Sequence, residues 1–247
     1  MRRKSSRPIG YISLDDFSRL PLKEFKEVAF HGWGEPLLHP KLFDMVRYAK
    51  KLGLKTSLIT NGFLIDRRLE DILSSGLDEL AIGIYTLNGR EKVLKNVELL
   101  LRNRSGSSPR VLFDITILRE NLEEIPRIIE TAARLGVDAV VLHRLFYAHD
   151  PELVPPSKDD EKKLFSHLSK ISDKLGVKVY LPQYKRTRPC IVTLQCMFVT
   201  WDCKYSPCCF LAEMGYLVGD ARKEDVFHLH KKFLLRREVD VCKKCPW

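Results

Sequence analysis

Apolar positions fall into two alternating rhythms over the first three quarters of the chain. Short runs rich in β-branched residues, at 26–31, 55–59, 78–85, 110–117, 138–144 and 177–181, predict strands. Being nearly continuous, they predict parallel strands covered on both faces. Between them, apolar residues recur at helical spacing over 40–52, 67–75, 90–103, about 122–135 and 158–174. Pro40 suits a first helical turn, and Gly53 and Gly76 suit positions just past a helix end. Asn121 with Glu124, and Ser157 with Asp160, read as helix starts. The junctions L-G-L, S-G-L and two copies of L-G-V, at 52–54, 75–77, 135–137 and 175–177, recur between helix and strand. The repeat predicts an α/β fold with a parallel sheet or barrel.

The repeat is incomplete at its start and changes near its end. The helix signal at Ser13 has no strand-like run before it, so the expected barrel lacks its first strand. After residue 182 cysteines, prolines and aromatics replace the βα rhythm, and one amphipathic helix is expected at about 223–236. Two domains are therefore expected: a partial barrel over 1–182 and a small cysteine-rich module over 183–247.

The chain has 247 residues, 45% hydrophobic and 30% charged, enough for a sizeable core. It contains no apolar run of about 18 residues. "MRRKSSRPIG" is basic but is followed by no apolar stretch, which excludes a signal peptide reading. No membrane partner and a cytoplasmic location are expected. The net charge of +10 is scattered among acids, with no basic stripe interleaved with aromatics. A solvated surface explains it better than nucleic-acid binding. The seven cysteines all lie between Cys190 and Cys245. Clustered thiols without a secretory leader point to a metal or iron–sulfur site rather than disulfides.

Two strand ends carry candidate chemistry. "HGWGEP" at 31–36 follows a strand and precedes a helix, placing it at the carboxyl edge of the sheet, where α/β folds bind ligands. Gly32 and Gly34 let backbone approach a ligand, and Glu35 offers a carboxylate to a cation; a tight turn with a surface acid is the plainer reading. "LITNGFLI" at 58–65 ends the next strand, with Thr60 and Asn61 at the same edge.

Strand–"GWGEPLLHP"–helix followed by strand–"TNGFLI" resembles the radical S-adenosylmethionine (SAM) family. The resemblance implies a partial (β/α)6 barrel and SAM as cofactor. The segment that receives the SAM amino group in that family maps onto Gly32, Gly34 and Glu35, with Trp33 replacing a glycine; Thr60 and Asn61 join this cofactor-binding set. Backbone carbonyls and a carboxylate are what an ammonium group needs. In "AIGIYT", Gly83 and Tyr85 stand where relatives carry polar SAM contacts, so no contact is carried onto them. Asp114, Thr116, His143 and Arg144 are candidates to line the pocket, against the plainer reading of core polar residues.

The family holds its reactive 4Fe–4S cluster on C-x-x-x-C-x-x-C after the first strand, and this sequence has no cysteine before Cys190. "MRRKSSRPIGYISLDDF" has the form that follows that loop in relatives. The expectation is a chain truncated ahead of Met1; true loss of the loop is the alternative.

Cys190, the hairpin-like "MFVTWDCKYSPC" and the terminal C-x-x-C resemble the SPASM or shorter Twitch extension of these enzymes. This implies an auxiliary 4Fe–4S cluster on Cys190, Cys208, Cys242 and Cys245, with Cys209 an alternative to Cys208. Cys203 takes the place of the glycine in the extension's D-G turn and Gly219-Asp220 the place of its G-N. Cys196 and Cys203 have no assigned role. The tail resembles archaeal maturases linked to the tungsten cofactor. The implied function is peptide or cofactor-precursor modification through a 5′-deoxyadenosyl radical, with an electron donor as partner. The chain as given is expected not to cleave SAM, and its catalytic residues stay unassigned. A non-catalytic metal-binding scaffold is the alternative, and a zinc protein binding nucleic acid a third.

Overall fold

A computed structural model describes residues 8–145, 152–182, 190–235, 242 and 245. The chain divides into two compact units, one formed by Lys26–Leu145 with Pro151–Pro182, the other by Met1–Phe25, Phe146–Asp150 and Gln183–Trp247. The expected boundary after residue 182 is followed by residues 183–189, which lie outside the described residues. The segment up to Phe25, expected in the barrel, clusters with the C-terminal residues.

The larger unit is a six-stranded parallel sheet in sequential order: β1 (Glu27–Phe30), β2 (Lys55–Thr60), β3 (Glu79–Gly83), β4 (Arg110–Ile117), β5 (Ala139–Arg144) and β6 (Lys178–Tyr180). Helices α2 (Leu42–Lys51), α3 (Leu69–Ser74), α4 (Glu91–Asn103), α5 (Ile125–Leu135) and α6 (Lys158–Leu175) connect them. This is the α/β, partial-barrel architecture expected. Two helix ends fall where glycine can turn left-handed: Gly136 caps α5 at φ 78° and Gly176 caps α6 at φ 66°.

The strands are not covered equally on both faces, as their sequences had suggested. Leu58, Leu80, Ile82, Val111, Phe113, Ile115, Ile117, Val140 and Leu142 are buried in one core with Phe43, Val46, Ile72, Val97, Ile128, Ile129 and Leu168 from the helices. Positions of opposite parity, such as Ser57, Ile59, Ala81, Asp114, Thr116, Val141 and His143, are only half-buried. Alternation was hard to see because Ile59, Ala81 and Val141 are apolar yet belong to the open face.

Two aspartates repeat one device at the amino-terminal edge of the sheet. Asp78, in S-G-L-D, accepts from the Thr56 backbone N–H at 2.7 Å and from Lys50 Nζ at 2.7 and 2.8 Å. Asp138, in L-G-V-D, accepts from the Val111 N–H at 2.7 Å and is paired with Arg104. Each ties a strand start to the neighbouring strand and to the end of a helix.

The smaller unit holds α1 (Leu14–Ser18), α7 (Ile191–Gln195), the hairpin β7 (Phe198–Val199)–β8 (Lys204–Ser206), α8 (Cys209–Glu213), β9 (Gly219–Asp220) and α9 (Val226–Leu235). The expected hairpin is present, and β9 adds a third antiparallel strand. Its core is Tyr205, Ala221 and Val226, with Leu20, Met197, Val199, Val218 and Leu229 packed against it. Ser13 caps α1 by accepting from the Asp16 N–H at 2.9 Å. Arg222 bridges Asp16 and Asp220 at 2.7 and 2.6 Å, and Phe25 stacks on Phe227.

Candidate functional site

Glu35 lies after β1, where Pro36 opens a short 3-10 turn and the Glu35 side chain caps it. Its Oε1 accepts from the Leu37 N–H at 3.0 Å and the Thr60 hydroxyl at 2.7 Å, and its Oε2 from the Asn61 N–H at 2.8 Å. The carboxylate stitches the end of β1 to the end of β2. A carboxylate has about four acceptor sites, so these three donors leave roughly one for a ligand. Gly32 sits at φ 146°, a region closed to most side chains. Gly62 is likewise required: at φ 80°, a Cβ would lie 2.7 Å from Val93. The structure thus brings Glu35, Thr60 and Asn61 together, with Gly32, the half-buried Trp33 and Gly34 on the adjoining turn.

Three further side chains, missed by the sequence reading as parts of this rim, continue the stitching. Asn96 donates to the Gly62 carbonyl at 2.9 Å. Asn121 donates to the carbonyls of Tyr85 and Thr116 at 3.2 and 3.0 Å and accepts from the Leu118 N–H at 2.9 Å. Glu124 accepts from the Leu87 N–H at 2.7 Å and the Thr86 hydroxyl at 3.1 Å. Asn121 and Glu124 had been read as a helix start. Glu124 does precede α5, but Asn121 belongs to a 3-10 turn and serves the strand ends instead. The legible signal was polarity immediately after the β4 run.

The open face carries titratable groups at the same carboxyl end. His143 Nε2 lies 2.7 Å from Asp114 Oδ1. Burial, and then Asp114, raise the pKa of Tyr85 above its ordinary value, against a hydrogen bond with Thr116. His31 keeps solvent-accessible surface, yet loss of hydration among surrounding atoms lowers its pKa; Asp114 opposes this and His143 adds to it. Arg144 does not join them: it pairs with Glu161 of α6 at 2.7 and 2.9 Å.

In the smaller unit, Cys208 caps α8, its sulfur accepting from the Leu211 N–H at 3.5 Å. Burial pushes the Cys208 thiol up to about 12, and the nearby Cys209 and Cys242 add to the rise. Burial pushes Cys209 up to about 11, with Cys196 and Cys245 adding. Each member of the Cys208-Cys209 pair therefore lies within electrostatic reach of one terminal cysteine, and the unassigned Cys196 joins them. Cys190 is half-buried at the start of α7. Cys203 differs: it is 1% exposed, is raised to about 11 by burial, and has Arg222, Asp16, Asp220 and Asp202 as its charged neighbours. It occupies the turn at φ 60°, a left-handed position that favours glycine.

Among the described residues no three His, Cys, Asp or Glu side chains are close enough to hold a single metal ion. A cluster is larger than an ion and takes thiols set further apart. An all-thiol donor set whose members repel one another when charged fits an iron–sulfur cluster by its chemistry.

The Radical SAM superfamily domain matches residues 17–146. The tungsten-containing aldehyde ferredoxin oxidoreductase cofactor-modifying protein of Pyrococcus furiosus is 26% identical over 79% of this chain and 60% of its own length. The PqqA peptide cyclase of Gluconobacter oxydans is 28% identical over 66% of this chain and 49% of its own. The AdoMet-dependent heme synthase of Methanosarcina barkeri is 30% identical over 64% and 46%. The chain thus spans about half to three fifths of these curated relatives. In fold it is similar to Streptococcus suis SuiB bound to S-adenosylmethionine, with TM-score 0.72 at 12% identity over 98% of this chain and 65% of that one. Against anSMEcpe with bound AdoMet the TM-score is 0.71 at 16% identity, over 98% and 76%. With more than half of its 247 residues in the superfamily domain, the chain belongs to the radical SAM superfamily.

Proposed function

We propose that the chain is the SAM-binding barrel and auxiliary iron–sulfur module of a radical SAM protein that modifies a peptide or a cofactor precursor. The observation that carries this is the rim at the carboxyl edge of the sheet. There Glu35 ties Thr60 and Asn61 to a glycine-containing turn. The ammonium of SAM would be received by carbonyls of Gly32, Trp33 and Gly34 and by the remaining acceptor site of Glu35. Thr60 and Asn61 hold the carboxylate in place for that role. His31, Tyr85, Asp114, Thr116 and His143 lie near one another at the same carboxyl end and would contact substrate. His143 and Asp114 form the pair suited to holding or moving a proton.

The auxiliary 4Fe–4S cluster would sit on thiols of the smaller unit. When bound it supplies an electron-transfer or substrate-binding centre. Cys242 and Cys245 are proposed ligands, together with Cys208 and Cys190 as first assigned; the neighbourhoods described above also support Cys209 and Cys196. Relatives named for peptide cyclisation and cofactor modification support the substrate classes. A cytoplasmic location accords with the described helices, none of which is long and apolar enough to cross a membrane.

The test is isothermal titration of the chain with SAM, with wild type expected to bind and Glu35→Ala expected to lose most of that affinity. Equal binding by the two would remove Glu35 from the site. The 247 residues contain no C-x-x-x-C-x-x-C, so anaerobically reconstituted chain is expected to bind one cluster and not to cleave SAM. That same observation favours the second reading, a non-catalytic metal-binding scaffold; absence of SAM affinity would establish it over the first.

A further inference from the structure

A buried hydrogen-bonded chain crosses the smaller unit from one cysteine-bearing segment to the next. The hydroxyl of Tyr205 meets His230 Nδ1, and His230 Nε2 meets the Thr193 carbonyl. A carbonyl only accepts, so Nε2 carries the proton toward Thr193, and in the neutral ring Nδ1 accepts from Tyr205. Tyr205 is 0%, His230 7% and Thr193 6% exposed. Each comes from a different element. Thr193 lies on α7, between Cys190 and Cys196, and its hydroxyl donates to the Cys190 carbonyl at 2.9 Å. Tyr205 lies on β8, three residues before Cys208. His230 lies on α9, the last described helix before Cys242 and Cys245.

A buried histidine with both nitrogens engaged fixes the spacing of whatever it joins, because losing either partner strands a polar group away from water. Tyr205 is also close enough to Cys208 to feel its charge, so the strut ends beside the thiols. A second contact fixes α9: Tyr216, after α8, meets Phe233 edge-on, with ring centroids 5.8 Å apart.

We propose that Tyr205 and His230, anchored on the Thr193 carbonyl, are positioning residues that hold the segments bearing Cys190 and Cys208 at the separation a cluster requires, with α9 as the brace between them. This rests on the reading of the thiols as cluster ligands.

The test uses the full chain reconstituted anaerobically with iron and sulfide. Its readouts are the rate of iron loss to a chelator and the electron paramagnetic resonance spectrum of the reduced cluster. Tyr205→Phe and His230→Phe are expected to lose iron about 10-fold faster than wild type, with altered spectra. His230→Gln keeps an amide donor for the Thr193 carbonyl but has no acceptor at the Nδ1 position, and is expected to lose iron about as fast as Tyr205→Phe. Loss rates and spectra unchanged in Tyr205→Phe would overturn the proposal while leaving the cluster reading intact. Wild type that takes up no iron would overturn both. If circular dichroism shows that His230→Phe fails to fold, Tyr205→Phe, which removes one oxygen, decides.

Discussion

Glu35 gathers three donors onto one side chain, two of them from β2 or the turn after it. Glu35→Gln replaces one acceptor oxygen by an amide donor that must face a backbone or hydroxyl donor. It is expected to destabilise the protein by about 1–3 kcal/mol, seen as a lower denaturant midpoint with unchanged slope. A midpoint within error of wild type would show that the stitches are dispensable. Cys203 offers a second residue-scale test. At φ 60° it carries left-handed strain that glycine would not, so Cys203→Gly is expected to exceed Cys203→Ala in stability by about 1 kcal/mol. In a regular strand or helix the order would be reversed. Iron content should be the same in both variants as in wild type, because the charged neighbours of Cys203 are Arg222 and aspartates rather than thiols. At this scale the sequence was legible where residue type dictates backbone, as in Gly32 and the turn at Asp202-Cys203. It was not legible for Asn121 and Asn96, whose partners are carbonyls distant in sequence.

Elements were the most readable level, since periodicity records which side of a helix or strand meets the core. All six parallel strands were anticipated, and the Ser157 cap of α6 was placed correctly. The short α7, α8 and β9 were not, because elements of two to five residues are too brief to show a period. The repeated aspartates make a prediction here. Burial tends to raise the pKa of Asp78, but hydrogen bonds from Lys50 and Thr56 outweigh it and leave it lowered. A carboxylate with a lowered folded-state pKa contributes stability that is present above its unfolded value. That contribution is lost as pH falls through the folded value. Asp78→Asn is therefore expected to be less stable than wild type at pH 7 by about 1–3 kcal/mol. The gap should narrow below about pH 4. A gap constant from pH 7 to pH 2 would show that the charge of Asp78 is not what joins β2 to α2.

At the scale of the molecule, the resemblance carried by "HGWGEP" and "TNG" matched the superfamily to which the chain belongs. What composition and motif could not indicate was that the two ends of the described chain fold together. Trp201 Nε1 donates to the Pro8 carbonyl at 3.1 Å across 193 positions of sequence, and a Cβ on Gly10 would lie 2.3 Å from the Trp201 ring. Gly10→Ala is expected to lower the melting temperature of the smaller unit by displacing Trp201; unchanged melting would show that the ring yields at no cost. This pairing also sets an order of events during synthesis. The strands and helices from Lys26 to Pro182 have their partners available as soon as they leave the ribosome. Among the described residues, the segment at 8–25 finds its partners only once Trp201, Arg222 and Phe227 have been translated. Ribosome-bound chains stalled so that residues up to about 190 have emerged should thus expose Phe17 and Phe25 to protease while the barrel resists it.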